Sequence, residues 1–424
     1  MFWGGINMKH FKGLSLLVSV LLVLTLGTLA FSQEKGKIEI FSWWTAGGEA
    51  EGLQALFDIY SKLYPDIEII NATVAGGAGT NAKAVLKTRM LGGDPPDTFQ
   101  VHAGKELIDT WVKTEFMEPL TDLFQSEGWV DVMPKGILDI VSYEGSYWSV
   151  PVNIHRANVL WYNKQVFADN GLNPPQTFAE FFEVADKLQE KGIIPFVLGT
   201  KDGWEAGHVF ETILIAKLGA EGYRGLWTGA TKWSDPRVTE ALETFKKMFS
   251  YINPDHSAFT WDEAYEYIID GKGAMSIMGD WVAGYFFSKE YTDFGWAPVP
   301  ETAGIFDALS DSFGLPKGCK NRDNVINFLK VLGSKEGQEA FNLKKGSIPA
   351  RTDINKDLFG DYQKSVMEDW QKDAIVPSVM HGAAAAEGWV TEYKDVIALF
   401  VARPDVEVTQ KALVQVAERA GIAQ

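Results

Sequence analysis

The chain has 424 residues, of which 46% are hydrophobic and 22% are charged, and this profile indicates a folded globular protein rather than a disordered one. The length allows two or three domains. The formal net charge of −17 disfavours nucleic acid and anionic lipid as partners, because both repel an acidic surface. The single cysteine, Cys319, excludes an internal disulfide, a zinc ribbon and a Cys-x-x-Cys redox pair.

Residues 1–32 have the composition of a secretory signal peptide. Lys9 and Lys12 precede the nearly uncharged run GLSLLVSVLLVLTLGTLAF, and polar residues follow Ser32. We expect cleavage after Ser32, with Ala30 as the small residue before the site. An uncleaved anchor stays open as the alternative, because the run is long enough to span a bilayer. No cysteine stands directly after the run, so we expect no attached lipid there and a periplasmic or extracellular product.

The folded part begins with alternating strands and helices. The apolar pattern predicts a strand over residues 38–44, and apolar residues at helical spacing predict a helix over 50–63. A second strand over 67–74, a helix over 81–90 and a third strand over 97–102 follow. This order predicts an open α/β sheet with largely parallel strands.

A second α/β region follows the first, and the chain contains no low-complexity linker and no fixed-period repeat. We therefore expect two lobes joined by strands rather than by a flexible tether. The predicted segments are strands at 158–162 and 195–199, a helix at 178–189, mainly helix over 205–270, strand character at 273–281, 294–300 and 312–318, and a helical tail from residue 362.

Aromatic and polar side chains follow several of the predicted strands, at the positions where ligands bind in open α/β sheets. Such a set suits a sugar, because an indole packs on the C–H face of a pyranose while charged and amide groups bond its hydroxyls. Residues adjacent on an extended segment point to opposite faces, so only one of Trp43 and Trp44 is expected to face a given cleft, unless the chain turns between them. The residues in question are Trp43, Trp44, Gln100, His102, Asp280, Trp281, Asp311 and His381.

Other motifs in the chain give weaker signals. The loop 76–79 is glycine-rich but lacks the full pattern of a phosphate-binding loop, so we interpret it as a turn near the cleft. His208 and Glu211 stand three residues apart, yet no second pair accompanies them, so the sequence predicts no metal site. We expect no cofactor.

After the leader, the chain contains in order the segments KIEIFSWW, LGGDPPDTFQVH, YWSVPVN, MGDWVAGYF and LSDSFGLPKG. Together with the leader, these segments resemble the family 1 extracellular solute-binding proteins, the maltose-binding-like receptors of ABC sugar importers. The resemblance covers essentially the whole chain after the leader and is strongest to bacterial glucose- and galactose-binding members. It implies the two-lobe periplasmic-binding-protein fold, with the ligand in the cleft.

The resemblance also implies hinge strands between the lobes. We expect the chain to cross near Val152–Asn153, near Gly279 and near Asn342–Lys345. The N-lobe is then predicted to comprise residues 36–152 plus 280–341, and the C-lobe residues 153–279 plus 342–424.

By the same resemblance, sugar contacts are expected from one residue set. Lys345 belongs to it, although the adjacent Lys344 is an alternative, and Trp261 and Trp389 are weaker aromatic candidates. The implied ligand-binding residues are Trp43, Trp44, Gln100, His102, Asp280, Trp281, Asp311, Lys345 and His381.

The resemblance implies a monomeric, non-enzymatic receptor that closes on a monosaccharide of the glucose, galactose or mannose type and delivers it to a membrane ABC permease. Two alternatives stay open. One is a receptor of the same family for an oligosaccharide or a polyol. The other is a secreted glycoside hydrolase, which needs two carboxyl groups flanking a glycosidic bond; Asp280 and Asp311 are the candidates, without a reason in the sequence to straddle one.

Overall fold

The computed structural model describes residues 1–2 and 36–424, so the predicted leader and its cleavage site at Ser32 lie outside the described residues, apart from the first two. Residues 37–424 form one compact unit. The strands are β1 Gly36–Phe41, β2 Ile67–Asn71, β3 Thr98–His102, β4 Ser142–Tyr143, β5 Ser146–Tyr147, β6 Ser149–Pro151, β7 Asn153–Arg156, β8 Val159–Asn163, β9 Ile194–Phe196, β10 Gly273–Met278, β11 Phe294–Pro298, β12 Ile305–Leu309, β13 Asp311–Gly314, β14 Ile348–Pro349 and β15 Ala374–Pro377.

Helices lie between most of these strands, and a π-helical segment covers Glu106–Val112. The α-helices are α1 Gly47–Leu63, α2 Thr80–Leu91, α3 Thr121–Ser126, α4 Trp129–Val132, α5 Lys135–Ile140, α6 Lys164–Asp169, α7 Phe178–Glu190, α8 Trp204–Thr228, α9 Pro236–Met248, α10 Trp261–Ile269, α11 Trp281–Ser288, α12 Arg322–Gly333, α13 Lys335–Lys345, α14 Asp361–Lys372, α15 Glu387–Ala402 and α16 Val406–Arg419.

Local chemistry accounts for several of these boundaries. Thr177 begins α7 as predicted, since its hydroxyl accepts a hydrogen bond from the Glu180 amide, and Ser334 begins α13 in the same way. The first strand ends at Phe41, earlier than predicted, so Trp43 and Trp44 lie in the loop that follows it.

Within residues 36–424, three sheets of four or five strands form most of the β structure, beside the two-stranded pair β4-β5. The first has the order β2-β1-β3-β13-β6, the second β11-β8-β10-β9, and the third β14-β7-β12-β15. The predicted α/β architecture is confirmed, but the sheets are mixed rather than largely parallel. Strand β3 runs parallel to β1, whereas β13 runs antiparallel to both β3 and β6, because β13 enters the first sheet from the third sheet through the turn at Ser310.

The buried apolar side chains form two cores. The first core collects residues from 38–152 and 313–341, and the second collects residues from 154–309 and 348–417, with Ile137 added. The chain leaves the first core near Val152–Asn153, returns to it near Leu309–Asp311, and leaves again along α13.

The prediction that residues 280–309 belong to the N-lobe differs from this packing. Val282, Phe286 and Phe306 lie in the second core. The reason is the second sheet, in which β11 pairs along its whole length with β8, so the chain cannot leave this side at Gly279. The return crossing lies about thirty residues later, between β12 and β13.

Candidate functional site

The pairing of β13 with β3 places two predicted site residues side by side. Asp311 is directly opposite His102, and Phe313 is opposite Gln100. Because β13 begins at the crossing between the two cores, Asp311 lies at the base of the space between them.

A cavity of about 350 Å³, counted to its open mouth, lies at this point. It is lined by residues from both cores and from the crossings. Seven of the nine predicted ligand-binding residues line it. The lining residues are Trp43, Trp44, Glu49, Gly77, Ala78, His102, His155, Trp204, Trp261, Trp281, Leu309, Asp311, Lys345 and His381.

The two adjacent tryptophans both contribute to the cavity wall. The Trp43 ring lies 4.9 Å from the His102 ring, and Trp44 packs 4.8 Å from the Phe341 ring. Both are more than nine-tenths buried. The alternation rule, which let both residues face the cleft only if the chain turned between them, does not apply here, because the strand ends at Phe41 and both residues lie in the loop after it.

Asp311 is held by three donors. Its carboxylate accepts hydrogen bonds from Gln100 Nε2 at 2.9 Å and Asn153 Nδ2 at 2.9 Å, and it lies 3.1 Å from His155 Nε2. Burial alone would raise the pKa of this carboxyl, but the His155 imidazole and the Lys345 ammonium hold that pKa well below its usual range. Asp311 is therefore a fixed anion at the cavity floor.

His155 bridges two buried aspartates. Its Nε2 faces Asp311, and its Nδ1 makes a short contact with Asp280, which also accepts a hydrogen bond from the Arg156 amide at 2.9 Å. Burial is the largest single influence and lowers the pKa of His155, yet the Asp280 and Asp311 carboxylates together raise that pKa more, so the net shift is upward. A protonated imidazole donates to both carboxylates at once, which explains the bridge.

Lys345 and Lys344 point in different directions. The Lys345 side chain is 2% exposed and pairs with Glu49, whereas the Lys344 side chain is 55% exposed and pairs with Glu51. The Lys345 ammonium also lies 5.8 Å from the ring centres of Trp44 and Trp281. Of the two candidates, only Lys345 lines the cavity.

A buried ion cluster orients His102. Glu106 lies 2.9 Å from His102 Nδ1 and 2.7 Å from the Lys83 ammonium. Burial would raise the pKa of Glu106, but Lys83 and His102 lower it to about 2. The carboxylate holds the proton of His102 on Nδ1, which leaves Nε2, 3.9 Å from Asp311, on the cavity side of the ring.

His381 comes from the second core and faces His102 across the cavity, with the ring centres 5.6 Å apart. Its Nδ1 lies 2.9 Å from Ser378 Oγ, and among the described residues its Nε2 has no hydrogen-bond partner. The Trp281 ring lies 5.1 Å away. The cavity therefore contains a free imidazole nitrogen beside an indole.

Two predicted residues lie behind the cavity wall. Gln100 bonds Asp311 and the Trp43 amide, while Asp280 bonds His155. Neither lines the cavity, so each contacts the lining residues rather than its interior. Trp389, a weaker candidate, packs 4.9 Å from Trp227 in the second core and does not line the cavity.

Four lining residues were not predicted from the sequence: Glu49, His155, Trp204 and Leu309. His155 follows the predicted crossing at Val152–Asn153, and its alternation with Asn153 on one strand was the available signal. Trp204 is the first residue of α8. In the sequence it is a tryptophan next to a glycine, which is too little to indicate a ligand site.

A second group of polar residues lies beside His381. His208 and Glu211 on α8 come together with His381, and one ligand atom from each lies within 4.8 Å of the others. The sequence predicted no metal site at His208 and Glu211, because no second pair accompanies them; the fold brings His381 to them from a segment 170 residues away.

Among the described residues, no helix is both long enough and apolar enough to cross a membrane.

Comparison with known proteins identifies the family. The family model for bacterial extracellular solute-binding proteins matches residues 46–339. An ABC transporter extracellular-binding protein of Pyrococcus horikoshii is 40% identical over 88% of this chain and 86% of its own length. A probable sugar-binding periplasmic protein of Mesorhizobium japonicum is 30% identical over 91% of this chain and 94% of its own.

Solved structures share the fold. The bacterial solute receptor AcbH, described as preferring β-D-galactopyranose, matches with a TM-score of 0.82 at 20% identity, over 91% of this chain and 99% of its own. A chitin oligosaccharide binding protein matches with a TM-score of 0.79 at 20% identity, over 91% and 100% of the two chains. The predicted two-lobe fold and non-enzymatic class are confirmed, and the chain belongs to the family of bacterial extracellular solute-binding proteins.

Proposed function

We propose that the protein is an extracytoplasmic receptor that binds a monosaccharide of the glucose, galactose or mannose type and delivers it to an ABC permease. The observation that carries this proposal is the cavity between the two cores, where five indoles surround converging carboxylate, ammonium and imidazole groups. Indole faces suit the C–H side of a pyranose, and the charged groups suit its hydroxyls.

The polar groups around the cavity have complementary roles. Asp311 accepts from sugar hydroxyls, Lys345 donates to them, and His102 and His381 each present an Nε2 atom. Hydrogen bonds to charged groups contribute roughly 1.5–3 kcal/mol each. Three or four of them plus a stacked ring suffice for a micromolar dissociation constant, which corresponds to about 8 kcal/mol.

The cavity is bounded on one side by a close approach of the two cores. The Gly77 amide donates to Asp202 at 3.1 Å, and a Cβ atom on Gly77 would lie 2.4 Å from Trp204 Nε1. This close approach leaves little room beside the five indoles that line the cavity, which favours a ligand of one sugar ring.

Binding is proposed to favour the closed arrangement of the two cores. The cores meet at Gly77 and Asp202, and again where the Glu106 amide donates to the Gly382 carbonyl at 2.8 Å. A ligand that touches residues from both cores stabilises the state in which both sets lie within reach. The closed surface is then available to the permease.

An oligosaccharide or polyol receptor is the second candidate. A larger cavity, about 870 Å³ when counted to its open mouth, adjoins the first and shares Ala78 and Trp204 with it, so further sugar units have somewhere to lie. The chitin oligosaccharide receptor has the same fold.

The geometry of the two aspartates does not support an assignment as a glycoside hydrolase. Asp280 and Asp311 both contact His155 and do not flank the cavity from opposite sides; Asp280 does not line it. Hydrolysis needs two carboxyls placed across a glycosidic bond.

A thermal-shift panel of sugars separates the candidates. We expect glucose, galactose or mannose to raise the melting temperature and to change tryptophan emission at micromolar concentration, while di- and trisaccharides do neither. Stabilisation by oligosaccharides alone would transfer the assignment to the second candidate. No response to any sugar would remove the sugar assignment altogether.

Export is proposed on the leader and on the family. The expected product starts at Gln33, after removal of residues 1–32, carries no lipid and is monomeric. Edman sequencing of the exported protein, together with its mass in solution by light scattering, tests these points. A retained leader would indicate an anchored receptor instead.

A further inference from the structure

A polar cluster of three residues lies next to the cavity but outside the proposed sugar contacts, except for the one residue that it shares. His208 and Glu211 stand three positions apart on α8 and so share a helix face. His381 reaches this face from the segment after β15, and its ring centre is 5.4 Å from that of His208. All three residues are buried, and the three ligand atoms lie within 4.8 Å of one another.

The imidazole nitrogens of this cluster are unusual for buried groups. No hydrogen bond of normal geometry reaches either ring nitrogen of His208 or Nε2 of His381 within the described part of the chain, although the Ala157 backbone lies near His208. Buried polar atoms nearly always have a partner, so several orphaned nitrogens at one point call for a bound water or ion.

Hydrogen bonds around the cluster orient its side chains so that their lone pairs are available to a metal ion. Ser378 Oγ lies 2.9 Å from His381 Nδ1 and donates to Glu211 Oε1 at 2.6 Å. Because this hydroxyl gives its proton to Glu211, it accepts the proton of His381 Nδ1, and the lone pair stays on Nε2. The Met380 amide fixes the other oxygen of Glu211 at 2.6 Å. Ligating histidines and carboxylates are commonly held by such outer hydrogen bonds.

We propose that His208, Glu211 and His381 bind a divalent transition-metal ion of the Zn²⁺ class. Two imidazoles and one carboxylate are a donor set that such ions prefer, and a fourth position remains for water or a ligand atom. Bonds of about 2.0–2.2 Å place ligand atoms roughly 3.4 Å apart, so the side chains move inward by about an ångström or less on binding. The ion enters through the cavity, which His381 lines.

This inference does not rest on the proposed sugar function. His381 is the one shared residue, and its Nε2 cannot serve an ion and a sugar hydroxyl at the same time. The rival explanation of the orphaned nitrogens is ordered water, which the same experiment distinguishes.

The test is a titration of the purified protein, carrying no polyhistidine tag, with Co²⁺ in the absence of sugar. We expect one Co²⁺ per chain, visible absorption bands of a four- or five-coordinate ion, and displacement by Zn²⁺. In His208→Gln the dissociation constant for Co²⁺ is expected to rise by at least about tenfold. His256→Gln is the matched control, because His256 bonds Thr200 away from the cluster.

A readout on the wild-type chain covers the case in which a variant fails to fold. Paramagnetic Co²⁺ should broaden the imidazole NMR signals of His208 and His381 and leave those of His256 sharp. Absence of stoichiometric binding, unchanged affinity in a folded His208→Gln, or broadening confined to other histidines would each overturn the proposal in favour of bound water. A sugar response without any Co²⁺ binding would leave the receptor assignment intact.

Discussion

The Asp311 carboxylate is anchored by hydrogen bonds at the floor of the cavity. Three donors fix it, and it is almost completely buried. We expect Asp311→Ala to weaken sugar binding by about 2 kcal/mol or more, roughly thirtyfold, because the donors around it lose their acceptor. Isothermal titration with the best sugar of the panel measures this loss. Asp58→Ala on the exposed face of α1 is the control, and equal affinity in the two variants would show that the site is misplaced.

The neighbouring lysines provide a matched pair. Lys345→Met removes a buried ammonium that lies 5.8 Å from the ring centres of two indoles, whereas Lys344→Met removes an exposed one. We expect the first variant to lose at least about tenfold in sugar affinity, by the loss of one charge-assisted hydrogen bond, and the second to bind like the wild type. A reversed order would assign the ligand contact to Lys344.

Glu205 gives a prediction on pH dependence. Burial raises its pKa to about 8, whereas an unfolded glutamate titrates near 4.5. A raised carboxyl pKa stabilises the fold fully below pH 4.5, and this contribution is lost as pH rises towards 8. The glutamine in Glu205→Gln does not titrate. The free energy of unfolding of this variant, relative to that of the wild type, should therefore increase from pH 4.5 to pH 8, by about 4 kcal/mol at most. Urea unfolding at pH 5 and pH 8 measures the difference; a constant difference would contradict the shift.

At the residue level the sequence predicted most of the side chains that line the cavity. It did not predict the contacts that depend on how distant segments pair. His102, Asp311, Lys345 and His381 were reachable because they follow recognisable motifs. The bridging role of His155 was not, since it needs Asp280 and Asp311, 125 and 156 residues away, to meet on its two sides. Periodicity reports the face of a local element and carries no information on such a meeting.

At the scale of elements, β13 determines the site. Its antiparallel pairing with β3 brings Asp311 beside His102, and a shift by one residue would turn Asp311 away from the cavity. The sequence predicted both strands but not their direction or register, because the chain of β13 arrives from the third sheet. For the same reason the predicted crossing at Gly279 was misplaced.

The loop before α2 and the start of α8 meet without space for a side chain. In Gly77→Ala, the added methyl group would lie 2.4 Å from Trp204 Nε1. We expect sugar affinity to fall by about tenfold, because the clash opposes closure, while the melting temperature without sugar changes little.

The control for this loop is Gly360→Ala, since a Cβ atom at Gly360 meets nothing within 4 Å. Normal affinity in Gly77→Ala would mean that the two cores bind sugar without approaching each other at this point.

At the scale of the whole molecule, the two cores are expected to move relative to each other. Between them lie strand crossings and a few polar contacts, among them Gly77 with Asp202 and Glu106 with Gly382. We expect the radius of gyration from small-angle X-ray scattering to be larger without sugar and to decrease on adding it. An unchanged radius with saturating sugar would exclude closure as the mechanism.

Neither core is built from one continuous stretch of chain. The first core lacks β13 and the helices α12 and α13 until residues 313–341 have been made, although its other members end at residue 152. During synthesis, the first core therefore stays incomplete while more than 150 residues that belong to the second core are added to the chain. The first core cannot finish folding until residues 313–341 have been synthesised. A chain that is still unfolded at that stage is in the form that a narrow protein-conducting channel can accept.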